Sequence, residues 1–186
     1  EAYFMKDGHC TVDAVLSLTS FSLVGGPAYN DTGAAREMLA QLDVPYIVAQ
    51  AVEFQTLEQW RGNDRGLLPV EATMMVAIPE LDGATSPVVF GGRTANTATC
   101  ANCDPAWCTN KDSPRAMCPD IERVRALAGR VEKLVALRRS ERAKRKLAVV
   151  LFNFPPNAGA TGTAAYLSVF RSLHNTLRGL AEAGYT

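Results

Sequence analysis

Apolar positions along the chain fall into short strand-length runs that alternate with longer stripes at helical spacing. "VDAVLSL", 12–18, is short, apolar and β-branched at its start, and predicts a buried strand. "GGPAYNDTG" follows and reads as loop. Residues 33–43 carry Met38, Leu39 and Leu42 on one helical face, with Asp31 or Thr32 as the N-cap and Pro45 beyond the end. "YIVAQ", 46–50, predicts a second strand. "TLEQW" opens with Thr56 and has Gln59 three residues on, a capping-box pattern. Pro69 suits the first turn of a helix running to about Ile78, with Pro79 stopping it. "MMVAI" within that stretch also fits a strand, but length and the flanking prolines favour helix. "PVVFGG", 87–92, predicts the third strand.

Residues 94–118 are irregular and cysteine-rich. Residues 120–146 predict a long helix with Ile121, Val124, Leu127, Val131, Leu134 and Val135 in one stripe. "LAVVLFNF", 147–154, predicts a strongly buried strand and "PPNAGATGT" a loop. Residues 163–183 predict an amphipathic helix with Leu167, Phe170, Leu173, Leu177 and Leu180 inward. Strand–helix–strand order with short links predicts an α/β fold: a parallel sheet flanked by helices, in Rossmann- or flavodoxin-like units. The expected division is a first unit over 1–118 including the cysteine-rich loop 94–118, a linking helix over 119–146, and the start of a second unit over 147–186. The chain begins Glu1-Ala2-Tyr3 and ends just after a helix, which predicts a piece of a longer protein with its second unit truncated.

Composition narrows the function. Apolar residues make up 47% of 186, ample for a core, and the net charge is zero, so no global basic signal points to nucleic acid. No apolar stretch reaches the roughly 20 residues that span a bilayer. The run "RRSERAKRK", 138–146, carries six cations and one acid. It suits an anionic partner, or a helix C-terminus complementing its macrodipole, and the second reading is favoured.

Candidate chemistry sits in three places. Glu80 and Asp82, in "PELDG", lie between a helix and a strand. They read either as a solvated acid beside an Asp-Gly turn, or as carboxylates that move protons and hold a hydrated divalent cation. Arg93, beyond strand 87–91, is a candidate charge partner. Cys100, Cys103, Cys108 and Cys118 crowd into nineteen residues. Four sulfurs so spaced suit Zn²⁺ or an Fe–S cluster, although the spacing matches neither the zinc-ribbon nor the ferredoxin pattern; free or disulfide-forming thiols are the rival reading. Cys10 reads as an isolated structural thiol. The loop before helix 163–183 lacks the P-loop and dinucleotide fingerprints, so a nucleotide site is weakly supported there and at "LVGGPAYN". His9 and His174 are the chain's two histidines, with no Ser–His–Asp or Cys–His arrangement evident.

Five stretches in order, "LTSFSLVGGPAYND", "LDVPYIVAQAVEFQTLEQW", "GLLPVEATMMVAIPELDG", "PVVFGGR" and "RAKRKLAVVLFNFPPNAGATGTAAYLSVFRSLHNTLRGLAEAGY", resemble the large, porphyrin-binding subunits of magnesium chelatases and, more distantly, cobaltochelatases. The resemblance covers nearly the whole chain, and "PELDG" and "NFPPNAGATGTAAYL" are its most telling parts. It implies a fragment of an enzyme subunit that binds protoporphyrin IX and inserts Mg²⁺. ATP would be hydrolysed by AAA+ partner subunits, in chlorophyll or bacteriochlorophyll biosynthesis. It implies a cytoplasmic setting, or one peripheral to photosynthetic membranes. The cysteine insert departs from the plant-like pattern and leans to a bacterial, bacteriochlorophyll-making relative, so the cysteines inherit no family-wide role. Within the resemblance, Glu80 is the favoured reacting carboxylate, followed by Asp82, with Arg93 as a substrate contact. The alternative is a tetrapyrrole-binding or metal-sensing module without turnover.

Overall fold

The computed structural model describes residues 3–19, 21–26, 29–95, 117–153, 159, 161–162 and 168–186. They form two compact units, Glu1–Val135 and Ala136–Thr186. In the first, the main sheet takes the strands β1 (Val15–Ser17), β2 (Tyr46–Thr56), β3 (Thr85–Arg93) and β4 (Met117–Pro119) in that order. β1, β2 and β3 run parallel, with Val15 beside Tyr46 and Ile47 beside Thr85. β4 is antiparallel to β3, with Gly91 opposite Pro119 and Arg93 opposite Met117. The sheet is therefore mixed, where an all-parallel one was expected. A parallel partner needs a crossover that returns the chain to the starting edge. β4 instead begins beside the end of β3 and can pair only in the opposite sense.

The first helices form where local chemistry predicts them. α1 (Thr32–Leu42) is capped by Asp31, whose side chain accepts the Ala34 N–H at 2.9 Å. α2 (Leu57–Arg61) starts with the full capping box: Gln59 N–H donates to the Thr56 hydroxyl, and Thr56 N–H to the Gln59 side chain. The next helical stretch runs further than expected. α3 (Pro69–Ala72) passes through a π-helical turn (Thr73–Ala77) into α4 (Ile78–Asp82), so Pro79 does not end it. A helix tolerates proline in a first turn, where its missing N–H is not needed, and the π turn lets α4 restart there. Gly83 ends the stretch instead, at φ +106°, with its N–H on the Glu80 carbonyl.

Both sheet faces are covered. On one, Ile47, Ala49 and Val88 pack with Leu127, and Phe90, Val131 and Leu134 pack around them. Leu127, Val131 and Leu134 belong to α5 (Ile121–Arg139), which stops short of the predicted 146. On the other face, Tyr46, Val48 and Ala84 pack with Val15, Leu23 and Leu39. Elsewhere in the unit Val52, Leu57, Val89 and Cys118 form a cluster with Trp60 and Leu67. β2 and β3 approach closely: a Cβ on Gly92 would lie 2.7 Å from the Val52 carbonyl oxygen, so only glycine fits.

The second unit corrects one expectation. Residues 147–153 form no strand, apart from an isolated bridge between Asn153 and Thr161, and residue 154 lies outside the described residues. Val150 is 92% exposed, and Leu147, Val149 and Phe152 are also exposed. A strand apolar on both faces is stable only with paired neighbours and covering layers. Among the described residues of this unit no strand is available to pair with it. α6 (Val169–Glu182) is amphipathic, and with Phe170 65% and Leu177 51% exposed its apolar stripe is only partly covered, as a truncated second unit predicts. Leu167 lies outside the described residues. The basic run does satisfy a helix end: the Arg145 guanidinium donates to the Arg138 and Ser140 carbonyls at the end of α5.

Candidate functional site

The helical stretch 69–82 runs over the sheet from the carboxyl end of β2 to the amino end of β3. Its inward stripe is Glu71, Met75, Pro79 and Asp82, all buried. Glu71 ties the start of the stretch to β2. It accepts the Phe54 N–H at 3.3 Å, the Leu68 N–H at 3.0 Å and the Gln55 amide at 2.5 Å. Such a carboxylate is expensive to bury without donors, and three donors make it tolerable. Sequence reasoning missed this residue. Its one signal was a Glu two residues after Pro69, the position that reaches back to a helix's first N–H.

Glu80 and Asp82 occupy the last helical turn rather than a loop, and they part company there. Glu80 faces solvent. Asp82 is 0% exposed. Its Oδ2 accepts the Leu23 N–H at 2.8 Å. Its Oδ1 is buried with no hydrogen-bond partner among the described residues. The Asp-Gly pair reads locally as a surface turn; Gly83 is indeed exposed, and only the Asp82 side chain turns inward, toward Leu23. Tyr46 is buried nearby. Burial pushes its phenol above the ordinary value, the Ser17 hydroxyl works against this, and the Asp82 charge adds to it. Gln50 lies on the same strand, two residues beyond Val48, with both amide atoms buried and unpartnered among the described residues.

Arg93 closes β3 at the carboxyl-terminal edge of the parallel strands. The nine residues of that strand put roughly 26 Å between its two ends. The structure therefore does not bring Arg93 together with Glu80. Arg93 instead stands by Thr56 and Met117. At that edge the Ala95 N–H donates to the Glu58 carboxylate at 3.0 Å. Burial works to raise the Glu58 carboxyl, but hydrogen bonds from its own N–H, Ala95 and Thr56, with Arg61 close by, hold it below the ordinary value.

A polar cleft of about 500 Å³ opens beside α2 and α5, lined by Trp60, Arg61, Asp64, Asp120 and Arg123, among others. Arg61 Nε and Nη2 both donate to Asp120 Oδ2, at 3.0 and 2.5 Å. The Arg123 guanidinium stacks 5.9 Å from the Trp60 ring centre. Arg61, Asp120 and Arg123 are all used in holding α2 to α5, so the cleft reads as a structural joint.

Of the clustered cysteines, Cys100, Cys103 and Cys108 lie outside the described residues. Cys118 is buried in β4 against Val52, Leu57 and Val89. Among the described residues no group of three or more His, Cys, Asp or Glu side chains converges as a metal site. His9 and His174 are both exposed. The loop before α6 falls largely outside the described residues, while within "LVGGPAYN" Gly25–Gly26 pairs antiparallel with Tyr29–Asn30. No helix among the described residues is long and apolar enough to cross a membrane.

Comparison with known proteins bears on this geometry. The whole chain, residues 1–186, matches the family described as CobN/Magnesium Chelatase. It is 54% identical over 180 residues to the magnesium-chelatase H protein of Rhodobacter capsulatus, covering 95% of this chain and 15% of that protein. It is also 54% identical over 188 residues to the corresponding magnesium-chelatase protein of Cereibacter sphaeroides, covering 100% of this chain and 16% of that protein. Among solved structures, the catalytic subunit of cobaltochelatase from Mycobacterium tuberculosis is similar in fold, with a TM-score of 0.69 at 24% identity. That match covers 94% of this chain and 14% of the other. The chain thus spans about one-sixth or less of the length of these relatives.

Proposed function

Because the chain belongs to the CobN/magnesium chelatase family, we propose that it is a segment of a chelatase large subunit that inserts Mg²⁺ into protoporphyrin IX, within a complex whose AAA+ partners hydrolyse ATP. The observation that carries this reading is 54% identity to two magnesium-chelatase H proteins across essentially the whole chain. Their lineage favours the bacteriochlorophyll branch, and a cytoplasmic setting follows from the same reading.

Insertion exchanges two pyrrole protons for one Mg²⁺, and the ion must shed part of a tightly held water shell. A carboxylate at the macrocycle face can take a proton, pass it to water, and then take the second. The same oxygens can replace water on the incoming ion. Glu80 fits that role best: it is exposed, and its backbone is stiffened by Pro79 before it and the Gly83 cap after it. Asp82 faces inward, which argues against direct contact with the substrate. One macrocycle in one pose does not reach from Glu80 to Arg93, so the reading keeps Glu80 as the reacting group and leaves Arg93 to a separate contact with substrate carboxylates. The parallel run of β1, β2 and β3 supports a flavodoxin-like ancestry for the first unit, and α5 suits the role of linker to the second. A Zn²⁺ or Fe–S site at the four cysteines stays a separate part of the proposal, and it requires Cys118 to turn its thiol out of the apolar cluster with Val52, Leu57 and Val89.

The test is Glu80→Gln in the full-length gene product, assayed with partner subunits, ATP and Mg²⁺. Porphyrin binding, read by fluorescence quenching, should stay within about threefold, while Mg-protoporphyrin formation falls at least about tenfold. Wild-type turnover would sink the Glu80 assignment. Porphyrin binding with no ATP-dependent metallation by the unmutated protein would favour a non-catalytic tetrapyrrole-binding module instead.

A further inference from the structure

The two acids of the last helical turn have opposite surroundings, and the inward one is anchored in an unusual way. Asp82 is fully buried, yet its hydrogen bond comes from a main-chain N–H, that of Leu23, 59 residues away. Leu23, itself half-buried, packs against the core cluster of Tyr46, Val48 and Ala84. The chain on either side of Leu23 is tied down in turn. Ser22 donates to either the Val24 carbonyl, at 2.9 Å, or the Asn30 side chain, at 2.8 Å. The Asp31 N–H reaches the Val24 carbonyl at 3.0 Å, and Asp31 then caps α1. Gly25, at φ +124°, admits no side chain, because a Cβ there would meet the Tyr29 carbonyl. Residues 22–26 and 29–31 are thus held to one another, and the Leu23–Asp82 bond ties them to the helical stretch.

The same bond acts on the helix end. Gly83 N–H on the Glu80 carbonyl and Ala84 N–H on the Pro79 carbonyl close the last turn, so an anchored Asp82 also fixes the backbone of Glu80. A buried carboxylate is a poor choice for stability alone, since an apolar residue of similar size usually packs at lower cost.

We infer that Asp82 is a positioning residue: its carboxylate pins the Leu23 N–H, and through it fixes the last helical turn, which carries Glu80 on its solvent side. This rests on the role proposed for Glu80, but the anchor is measurable without it. The function needs an acceptor at Asp82 Oδ2 and not a charge. Asparagine supplies the acceptor; alanine does not.

The experiment compares Asp82→Asn and Asp82→Ala in the full-length gene product. Hydrogen exchange of the Leu23 amide should be slow in the wild type and in Asp82→Asn, and at least about tenfold faster in Asp82→Ala. Metallation turnover should fall at least about tenfold in Asp82→Ala, with porphyrin affinity within about threefold, and recover to within about threefold of wild type in Asp82→Asn. Protected Leu23 with lost turnover in Asp82→Asn would overturn the proposal, because the charge itself would then be used. Wild-type exchange and turnover in Asp82→Ala would overturn it too. If Asp82→Ala does not fold, Asp82→Asn decides alone by the same two readings. Glu80→Gln with full turnover would remove the Glu80 reading while leaving Leu23 protection, so the two failures are distinguishable.

Discussion

Asp120 offers the sharpest test of how this chain is held together. It is the residue before α5, it is only 3% exposed, and it does two jobs. Oδ1 accepts the Arg123 N–H at 3.3 Å, capping a 19-residue helix. Oδ2 takes the Arg61 guanidinium from α2. Asp120→Ala removes a cap worth about 1 kcal/mol. It also removes an anion at a helix N-terminus, worth about 0.5 kcal/mol. The ion pair adds about 1 kcal/mol, the upper end for surface pairs, because Asp120 is buried while the Arg61 side chain stays half exposed. The expected loss is about 2.5 kcal/mol. Asp120→Asn keeps an acceptor for the cap and should lose about 1.5 kcal/mol, the charge-dependent part. Burial works to raise the Asp120 carboxyl, but Arg61 and the N–H groups of Arg123 and Glu122 outweigh it and hold it below the ordinary value. A depressed folded pKa means the stabilisation is complete above the unfolded value of about 3.9 and is lost as pH falls through the folded one. The gap between wild type and Asp120→Asn should therefore be flat from about pH 8 to about 5 and narrow below about 4. Urea unfolding followed by fluorescence measures it. The chain has two tryptophans, and a Trp107→Phe background leaves Trp60, beside Arg123, as the reporter. Equal losses in Asp120→Asn and Asp120→Ala, or a gap that widens on acidification, would refute this account.

Leu127→Ala, which empties a site between α5 and the sheet, should cost about 3 kcal/mol by urea unfolding; a loss under about 1 kcal/mol would mean that α5 is not packed on Ile47 and Val88. Gly92→Ala should cost several kcal/mol or prevent folding of the first unit, as judged by circular dichroism, because the new Cβ meets the Val52 backbone; an unchanged melting curve would contradict the close strand approach. Anaerobically purified protein should carry about one Zn²⁺, or iron with sulfide, per chain if the four cysteines act together. Metal analysis showing neither, with four titratable thiols in that stretch, would end that reading.

Local chemistry was legible in the residues themselves. The Asp31 cap, the Thr56–Gln59 box and the helix start at Pro69 each depend on groups within four positions of one another, so a linear reading finds them. Family membership was legible as well, because it rests on the order and wording of segments. Tertiary structure alone decided the rest. Asp82 and Glu80 are two residues apart and look equivalent in "PELDG"; which one turns inward depends on Leu23, brought from 59 positions away. Arg93 and Glu80 look like near neighbours in sequence, and an extended strand holds them apart. The apolar run 147–153 has every local mark of a central strand and forms none among the described residues. Strand pairing is a property of neighbours, and a segment's own composition states only what it could pair with.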